Sequence, residues 1–486
     1  MDVVKGANMS DNNFVKDITN IEDDFAKWYT DIVIKAELVD YTDVKGFIAY
    51  RPYGYAIWEN IQKYEDEKFK EYGVKNVAMP MLIPESLLDK EKEHVEGFAP
   101  EVAWVTYGGG KELEERLCIR PTSETIFCSM YSKWLKSWRD LPFKYNQWCN
   151  VLRWEKETRP ILRSREFLWQ EGHTIHETAE EAQDFTMKML NVYADTIENL
   201  LAIPVLKGRK TETEKFAGAD ATYTVETLML DGRALQAGTS HYFGQNFSKP
   251  FNIKFQNREG KEEYAYQTSW GTSTRLIGAV IMAHGDNRGL KLPPRVAPIQ
   301  VVIVPVAANK PGVIEKATEL YSSLKQTARV ELDDRMQYSP GYKFNYWEMK
   351  GVPIRVEIGP RDIEHNKCVI VRRDTFEKIE VSLDNLNETI TKTLDEIQAN
   401  MFKTACEVRD RRTNVAHSLD EIDKVLKENQ GYVKTMWCGD EECEEKIKEK
   451  TGAKSRCIPF EQENLGDKCA ICGKPAKCMV VWGRQY

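Results

Sequence analysis

The stretch RWEKETRPILRSREFLWQEGH, residues 153–173, most limits how this chain folds. So charged a run is usually a solvated helix face, but no apolar stripe forms at helical spacing and Pro160 interrupts the middle. A spacing of two residues fits better, because alternate residues then share a face. That face carries Val151, Arg153 and Glu155 before the central loop, and Phe167, Trp169, Glu171 and His173 after it. The stretch therefore predicts two strands joined by a basic loop, with a charged and aromatic face suited to binding.

Length and charge bound the class of protein. The 486 residues suffice for about three domains, and 42% apolar with 30% charged residues is typical of a globular protein. The net charge of −8 argues against broad nonspecific binding to nucleic acid or anionic membranes, but it permits a local basic groove. The sequence has no apolar run of transmembrane length, and residues 1–20 match neither a secretory signal nor a transit peptide. We therefore expect a cytoplasmic protein without membrane association.

Changes in composition divide the chain into four parts. Residues 1–20 form a polar N-terminal segment. Residues 21–292 predict an α+β domain, because short strands between 147 and 300 indicate a large antiparallel sheet. After a Pro-rich hinge, residues 293–405 alternate strands and helices and predict an α/β domain with a mixed sheet. Residues 406–486 hold most of the cysteines and predict a small α+β domain.

Several individual elements are also predicted. Helical spacing covers 55–72 and 178–201, and a long helix begins near Ser382. The sequence VAMPMLIP, 77–84, predicts an edge strand because of its prolines. The continuous apolar run IQVVIVPV, 299–306, predicts a buried strand.

Six of the eleven cysteines fall between 438 and 478. Cys438 and Cys443 have four residues between them, and after 25 further residues Cys469 and Cys472 form a CxxC pair. Two close pairs at this separation suit a closed, tetrahedral four-thiolate zinc site, which stabilises a fold and does no chemistry. Cys457 and Cys478 leave the choice of ligands open, since Cys478 could replace one of the four.

These motifs together resemble the prolyl-tRNA synthetase family of class II aminoacyl-tRNA synthetases. RWE at 153–155 is similar to the Arg-x-Glu strand of class II motif 2, and FLWQEGH at 167–173 is similar to the prolyl family. The helix with VAMPMLIP resembles motif 1, with Pro80 at the dimer-forming position. Other matches are RPTSE (120–124) to the amino-acid loop, QAGTSHYFGQNF (236–247) to the ATP strand, SWGTSTRLIGAVIMAHGD (269–286) to motif 3, and GYKFNYWEMKGVPIRVEIGPRD (341–362) to the anticodon-binding domain. The cysteine cluster and terminal GRQY are similar to the archaeal/eukaryote-like branch.

The resemblance implies a class II catalytic domain at 21–292, an anticodon-binding domain at 293–405 and a zinc-binding domain at 406–486. It implies ATP-dependent attachment of L-proline to tRNA(Pro) through a prolyl-adenylate, by a homodimer formed through motif 1. ATP brings Mg²⁺, and the family pattern favours Cys438, Cys443, Cys469 and Cys472 as ligands of a structural Zn²⁺.

The resemblance also assigns roles to site residues. Arg153 would reach both the α-phosphate and the proline carboxylate, and Arg275 would be the second catalytic arginine. The ATP-binding residues would be Arg153, Glu155, Arg163, Ser164, Gln236, Thr239, Ser273 and Arg275. The proline-binding residues would be Thr122, Glu124, Arg153, Phe167, Trp169, His173 and His241. A fixed planar cation between two reacting anions lowers the barrier, and a charged secondary amine needs an anion beside an apolar slot.

Only about 60 residues separate His173 from Gln236, so the editing domain often inserted there in the bacterial branch has no room. We therefore expect measurable alanine activation, because a pocket rejects a smaller side chain only through lost apolar contact. Tyr486 is expected to pack inward, as in the family ending that GRQY matches. The alternatives are another class II enzyme such as the threonyl one, or a non-catalytic synthetase-like RNA-binding protein. FLWQEGH opposes the first alternative, and the intact ATP groups oppose the second.

Overall fold

The computed structural model describes residues 18–94 and 101–486. Nearly all of the polar segment predicted at 1–20 lies outside the described residues. Within these ranges no helix is both long and apolar enough to cross a membrane.

Helices and strands alternate unevenly along the chain. The helices are α1 (Phe25–Lys35), α2 (Pro52–Glu71), α3 (Glu85–His94), α4 (Glu124–Trp134), α5 (Ala179–Asp195), α6 (Arg275–His284), α7 (Val313–Leu324), α8 (Pro340–Met349), α9 (Pro360–Glu364), α10 (Leu386–Arg411), α11 (Leu419–Glu428) and α12 (Glu441–Thr451). The strands before residue 290 are β1 (Val39–Tyr41), β2 (Ile48–Tyr50), β3 (Lys75–Asn76), β4 (Leu82–Pro84), β5 (Trp104–Gly108), β6 (Lys111–Ile119), β7 (Phe143–Leu152), β8 (Glu166–His176), β9 (Leu206–Arg209), β10 (Ala221–Leu228), β11 (Ala234–Gly244), β12 (Lys254–Gln256), β13 (Glu262–Tyr264) and β14 (Tyr266–Ser273). The later strands are β15 (Val301–Pro305), β16 (Val330–Leu332), β17 (Ile354–Ile358), β18 (Lys367–Arg372), β19 (Lys378–Ser382), β20 (Thr413–Val415), β21 (Tyr432–Trp437), β22 (Lys454–Pro459) and β23 (Cys478–Gly483).

One large sheet is the frame of the molecule. Its 11 strands run in the order β20-β21-β23-β22-β9-β10-β11-β14-β8-β7-β3. Neighbours are antiparallel except for the pairs β3–β7 and β20–β21. The large antiparallel sheet predicted between 147 and 300 is thus confirmed. It continues into the C-terminal part of the chain through pairing of β9 with β22, which the sequence did not predict.

The strand pair predicted around residues 153–173 is β7 and β8. Its cross-strand neighbours include Val151–Phe167, Cys149–Trp169, Gln147–Glu171 and Tyr145–His173, which confirms the shared face. β7 ends at Leu152, however, before the predicted strand residues Arg153 and Glu155. The Glu155 N–H donates to the Arg153 carbonyl (2.7 Å), and this tight turn takes Glu155 out of the strand pair.

Helices α1, α2, α5 and α6 cover the central strands and contribute to the largest apolar core. Pro52 opens α2 at a position that needs no N–H donor, and Ile57, Trp58, Ile61 and Phe69 bury its inner face. Between β8 and β11 the chain forms only α5, a π-helical turn, β9 and β10, so no separate editing domain is inserted there.

A carboxyl group is buried where α2 meets the sheet. Glu65 is 0% exposed, and one of its oxygens accepts a hydrogen bond from Thr272 Oγ1 at 2.9 Å. Its other oxygen, Oε1, has no hydrogen-bond partner among the described residues. Burial raises the pKa of Glu65 to about 8, although the hydrogen bond from Thr272 acts to lower this pKa. The folded protein therefore holds this carboxyl group protonated at neutral pH.

We expect Glu65→Gln to stabilise the protein at alkaline pH and to change little at pH 5. The raised pKa contributes stability that is complete below the unfolded pKa near 4.3 and is lost as the pH rises through 8. The loss is about 1.4 kcal/mol per pH unit between those values. A thermal melt at pH 5 and at pH 8.5 checks this, with the variant melting several degrees higher only at pH 8.5. An equal difference at both pH values would show that the carboxyl group is not protonated in the fold.

The second unit follows the proline hinge. Its mixed sheet has the order β16-β15-β17-β18-β19, with β15 parallel to β16 and β17 and the remaining pairs antiparallel. All five residues of β15 are buried, as predicted for this apolar run. The long helix predicted near Ser382 begins at Leu386, because Ser382 instead caps a short 3-10 turn that precedes it. The α/β character and mixed sheet predicted for this unit are confirmed.

Candidate active site

A cleft of about 300 Å³ opens on the face of the large sheet formed by β8, β10, β11 and β14. Most of the predicted site residues line it, namely Thr122, Glu124, Arg153, Phe167, Trp169, Gln236, Thr239, His241, Ser273 and Arg275. They come from separate segments that strand pairing brings together, such as Thr239 opposite Gly271 and His241 opposite Ser269. The wall also includes Glu171, Thr222 and Ser269, which the sequence did not single out as site residues.

Arg153 lies against both aromatic rings of β8. Its guanidinium carbon lies 5.4 Å from the ring centroid of Phe167 and 5.4 Å from that of Trp169. Its Nε donates to the Pro121 carbonyl at 3.1 Å. Burial lowers the pKa of Arg153, while nearby Glu124 opposes this effect. Because the rings and the carbonyl fix only part of the group, its remaining N–H donors are available to an anion in the cleft.

Glu124 supplies a buried anion at the first turn of α4. It is 5% exposed, and it accepts hydrogen bonds from Thr122 Oγ1 and, at 3.3 Å, from Ser269 Oγ. A carboxylate at a helix N-terminus is favoured by the helix dipole. The arrangement provides a site for a cation at the floor of the cleft, beside the Phe167 and Trp169 rings.

His173 does not line the cleft in which it was predicted. Its Nε2 lies 3.0 Å from Glu171 Oε2, and its ring stacks on Phe127 with centroids 4.2 Å apart. Burial would raise the pKa of Glu171, but hydrogen bonds from His173, Ser123 and Gln147 outweigh it and hold the pKa below its usual range. His173 thus acts on the cleft through Glu171.

His241 is held as a neutral imidazole. Its Nδ1 lies 2.9 Å from Thr222 Oγ1, across the β10–β11 pair. Burial and the neighbouring His173 lower the pKa of His241 to about 3. The cleft is therefore lined here by an uncharged hydrogen-bonding group over the whole physiological pH range.

Arg153 and Arg275 line the cleft, and Arg163 lies close enough to Arg275 to act on it electrostatically. Arg275 opens α6, and its side chain donates to the carbonyls of Leu162 (3.2 Å) and Gln236 (3.4 Å). Burial, together with the positive charges of Arg163 and Arg153, lowers the pKa of Arg275 to about 10. Cations pressed together in this way are the usual composition of a site for a multiply charged anion.

A second cavity of about 220 Å³ adjoins the first, and Arg275 lines both. Its wall includes Arg159, Arg163, Arg233, Gln485 and Tyr486. Arg163 was predicted in the ATP site, whereas no functional role was predicted for Arg159. Lys156, in the same loop, is exposed.

Two further predicted residues lie outside both cavities. Ser164 lines a third cavity of about 220 Å³ beside Gly46, and its buried hydroxyl has no hydrogen-bond partner among the described residues. Glu155 acts electrostatically on both Arg153 and Arg275, opposing the effect of burial on their pKa values. Neither residue contacts the main cleft in this arrangement.

The terminal residue packs inward, as predicted. The Tyr486 hydroxyl donates to Asp231 Oδ2 at 2.5 Å. Its ring lies between two arginines, with the Arg159 guanidinium 5.6 Å and the Arg233 guanidinium 5.5 Å from the ring centroid. Tyr486 therefore joins the loop after β7 to the turn between β10 and β11.

The predicted cysteines come together in the C-terminal unit. The sulfur atoms of Cys438, Cys443, Cys469 and Cys472 lie within 4.8 Å of one another. Cys438 Sγ is 3.7 Å from both Cys443 Sγ and Cys472 Sγ. Tetrahedral ligation with metal–sulfur bonds of about 2.3 Å places sulfurs about 3.8 Å apart, so the four fit a zinc-type site. Cys457 and Cys478 are not members of this group.

Comparison with known proteins agrees with this geometry. Family models match for "tRNA synthetase class II core domain (G, H, P, S and T)" at 104–284, "Anticodon binding domain" at 300–393 and "Prolyl-tRNA synthetase, C-terminal" at 419–486. The proline–tRNA ligase of Alkaliphilus oremlandii is 63% identical over 97% of this chain and 98% of its own. That of Ruminiclostridium cellulolyticum is 62% identical over 98% and 99%, and proline–tRNA ligase 2 of Bacillus cereus is 62% identical over 97% and 99%. The chain therefore belongs to the prolyl-tRNA synthetase family of class II aminoacyl-tRNA synthetases.

Proposed function

We propose that this chain is a proline–tRNA ligase that activates L-proline with ATP and transfers it to tRNA(Pro). The observation that carries the proposal is the cleft itself. Its wall holds a buried anion beside two aromatic rings together with Arg153 and Arg275, and Arg163 lines the adjoining cavity that Arg275 shares. A small cationic amino acid and a polyphosphate therefore bind side by side, which is what adenylate formation needs.

In the first step an oxygen of the proline carboxylate attacks the α-phosphorus of ATP. The bond from that phosphorus to the β-bridging oxygen breaks, and pyrophosphate leaves. Arg153 lies between the two binding regions, where it draws the two anions together and stabilises charge that grows in the transition state. Its contact with Phe167 and Trp169 is supported by the 5.4 Å distances to both rings.

Proline binds with its secondary ammonium group at Glu124 and Thr122 and with its ring against Phe167 and Trp169. His241 supplies a neutral contact whose charge does not compete with the ammonium group. His173 takes part by holding Glu171, and its hydrogen bond at 3.0 Å supports this indirect role. A site lined in this way favours a small five-membered ring over extended side chains.

ATP binds at the other end, with Arg275 and Arg163 on the outer phosphates. The remaining proposed ATP-binding residues are Glu155, Ser164, Gln236, Thr239 and Ser273. Mg²⁺ would enter with ATP and would neutralise part of the phosphate charge, and its preference for phosphate and water ligands fits a cleft in which Glu124 and Glu171 already accept hydrogen bonds from the protein. In the second step a terminal ribose hydroxyl of the tRNA attacks the prolyl carbonyl carbon, and AMP leaves.

The other units take the roles that their positions support. We propose a catalytic domain at 21–292, an anticodon-binding domain at 293–405 and a zinc-binding domain at 406–486, with Zn²⁺ on the four clustered cysteines. Met81 and Leu82, which directly follow Pro80 in the chain, have exposed apolar side chains and support a homodimer through motif 1. The C-terminal unit, with its GRQY ending, and the lack of an inserted domain support the archaeal/eukaryote-like sequence branch, although the relatives named above are bacterial. We also propose that the protein is cytoplasmic, since none of its eleven cysteines forms a disulfide.

Charging of tRNA tests the proposed function. Wild-type protein with ATP, Mg²⁺ and labelled proline is offered tRNA(Pro) or tRNA(Thr) in parallel reactions. We expect label on tRNA(Pro) alone. Absence of charging despite a folded protein, or equal charging of both tRNAs, would overturn the proposal.

We expect deletion of Tyr486 to reduce aminoacylation about tenfold or more. The deletion removes the ring between Arg159 and Arg233 and the hydrogen bond to Asp231, so one wall of the arginine-lined cavity is lost. Steady-state charging of tRNA(Pro) is the measurement, with Tyr486→Phe as the matched control that keeps the ring. Full activity of the deletion variant would mean that the terminal residue only fills space.

A further inference from the structure

The C-terminal unit and the catalytic sheet are joined at the strand pair β9–β22. Ile458 pairs with Arg209, and Pro459 pairs with Gly208. Gly208 allows this approach, because a β-carbon there would lie 2.3 Å from the Ile458 carbonyl oxygen. The joint is therefore backbone hydrogen bonding within one sheet, and only β9 and β10 lie between β22 and the β11 strand that carries Gln236, Thr239 and His241.

A buried ion triad lies at this joint. It consists of Glu226 from β10, Lys210 just after β9 and Arg456 from β22, which are 0%, 3% and 1% exposed. Arg456 donates twice to Glu226 Oε2, from Nε at 3.0 Å and from Nη2 at 2.8 Å. Lys210 Nζ donates to Glu226 Oε1 at 2.8 Å. The Glu226 carboxylate thus pairs with two buried cations, and the triad carries one excess positive charge.

The triad continues the row of residues that forms the cleft. Across the β10–β11 pair, Thr222 lies opposite His241, Thr224 opposite Thr239 and Glu226 opposite Gln236. Thr224 Oγ1 donates to Glu226 Oε1 at 2.9 Å, which places both side chains on the same face. Glu226 also acts electrostatically on Arg275, the arginine shared by the two cavities. The triad is therefore the buried end of the ATP side of the cleft.

A second link runs from Arg456 to the end of the chain. Arg456 Nη1 donates to the side chain of Gln485, which lines the arginine-rich cavity. The segment 484–486 pairs with the first residue of β11, since Ala234 N donates to the Arg484 carbonyl at 2.8 Å and Tyr486 N donates to the Ala234 carbonyl at 3.3 Å. Arg456 thus contacts both the strand beneath the ATP side and the segment that closes its neighbouring cavity.

We propose that Arg456 of the C-terminal unit is a positioning residue for ATP. Through Glu226 it fixes β10, the strand that pairs with Gln236 of β11, and through Gln485 it fixes the wall beside Arg275. Its charge gives the excess positive charge beneath the phosphate-binding arginines. The proline end of the cleft, at Glu124, Phe167 and Trp169, has no contact with the triad in the described structure. The inference rests on the proposed function, because it assigns Arg456 to one substrate of that reaction.

Proline-dependent ATP–pyrophosphate exchange separates the two substrates. Arg456→Met keeps a similar volume and removes the charge, and we expect it to raise the KM for ATP at least tenfold while the KM for proline changes less than about twofold. Arg456→Lys restores the charge with fewer hydrogen bonds and is expected to recover part of the loss. Lys434→Met is the matched control, because Lys434 lies in β21 of the same unit and pairs only with Glu463 there, at 2.5 Å. Bound zinc and melting temperature are measured for every variant.

The outcomes are distinct. An unchanged KM for ATP in folded Arg456→Met, or an equal rise in both KM values, overturns the inference. If Arg456→Met does not fold, Arg456→Lys and Gln485→Ala decide the question, since neither variant removes a buried charge. An unchanged KM for ATP in both of these variants would also overturn the inference. Wild-type protein without proline-dependent exchange would refute the proposed function itself, whereas an active wild type with insensitive variants refutes only the role of Arg456.

Discussion

Arg153→Ala is expected to lower proline-dependent ATP–pyrophosphate exchange about a thousandfold or more. The guanidinium group lies 5.4 Å from the centroids of the Phe167 and Trp169 rings and lines the cleft, where we propose that it contacts both proline and the phosphates. Loss of a single preorganised donor to a developing anion costs about 100- to 1,000-fold, and Arg153 also brings the two anionic reactants together. The effect should fall on kcat, because the interaction strengthens as the reactants approach the transition state.

A neighbouring cation provides the control for Arg153. Lys156 lies in the same loop, its side chain is 85% exposed, and it pairs with Glu101 at 3.2 Å. Lys156→Ala removes one positive charge from the loop without touching the cleft, so exchange should stay within about twofold of wild type. If both variants lost activity equally, general loop charge rather than the placement of Arg153 would be responsible.

The double variant Cys469→Ser/Cys472→Ser is expected to bind no zinc and to lose the fold of the C-terminal unit. We propose that four thiolates at the observed sulfur separations hold Zn²⁺, and the binding free energy of a structural zinc ion is part of the folding free energy, typically about 10 kcal/mol or more in small zinc domains. Because β22 pairs with β9, the loss should also reach the catalytic sheet and lower the melting temperature. Metal analysis by mass spectrometry and a thermal melt provide the measurements.

Cys478→Ser separates the ligands from the other cysteines of the cluster. Cys478 begins β23 and pairs with Trp437 across the strand, outside the group of four sulfurs. We expect this variant to keep one zinc per chain and the wild-type melting temperature within about 2 °C. Native protein without zinc, or zinc lost from the Cys478 variant alone, would contradict the assignment of Cys438, Cys443, Cys469 and Cys472.

Much of the fold and most of the cleft could be predicted from the sequence. Alternation along 153–173 predicted the β7–β8 pair and its shared face, because strand periodicity is a local property of the chain. The cysteine spacing predicted the sulfur cluster for a similar reason, since each close pair is local and only their meeting is not. The continuous sheet through β9 and β22 was missed, because it depends on pairing between segments about 250 residues apart.

Side-chain packing explains why His173 and Arg159 lie at positions that the sequence did not predict. His173 lies on the predicted face of β8, but Glu171 stands between it and the cleft, and only the side-chain packing decides which of the two reaches the ligand. Arg159 lines a cavity although it belongs to a charged loop, because Tyr486, more than 300 residues later, packs against it. Conversely, the local sequence around Arg456 and around Glu226 does not indicate that the two side chains are buried together.

The most direct test of proline activation is ATP–pyrophosphate exchange by the wild-type protein with each of the twenty amino acids in turn. We predict strong exchange with proline alone and weak but measurable exchange with alanine. Alanine covers less of the apolar surface of Phe167 and Trp169 than proline does, and it loses about 1–3 kcal/mol of binding free energy for each missing methylene contact. Strong exchange with threonine or another amino acid, or no exchange with proline, would contradict the account.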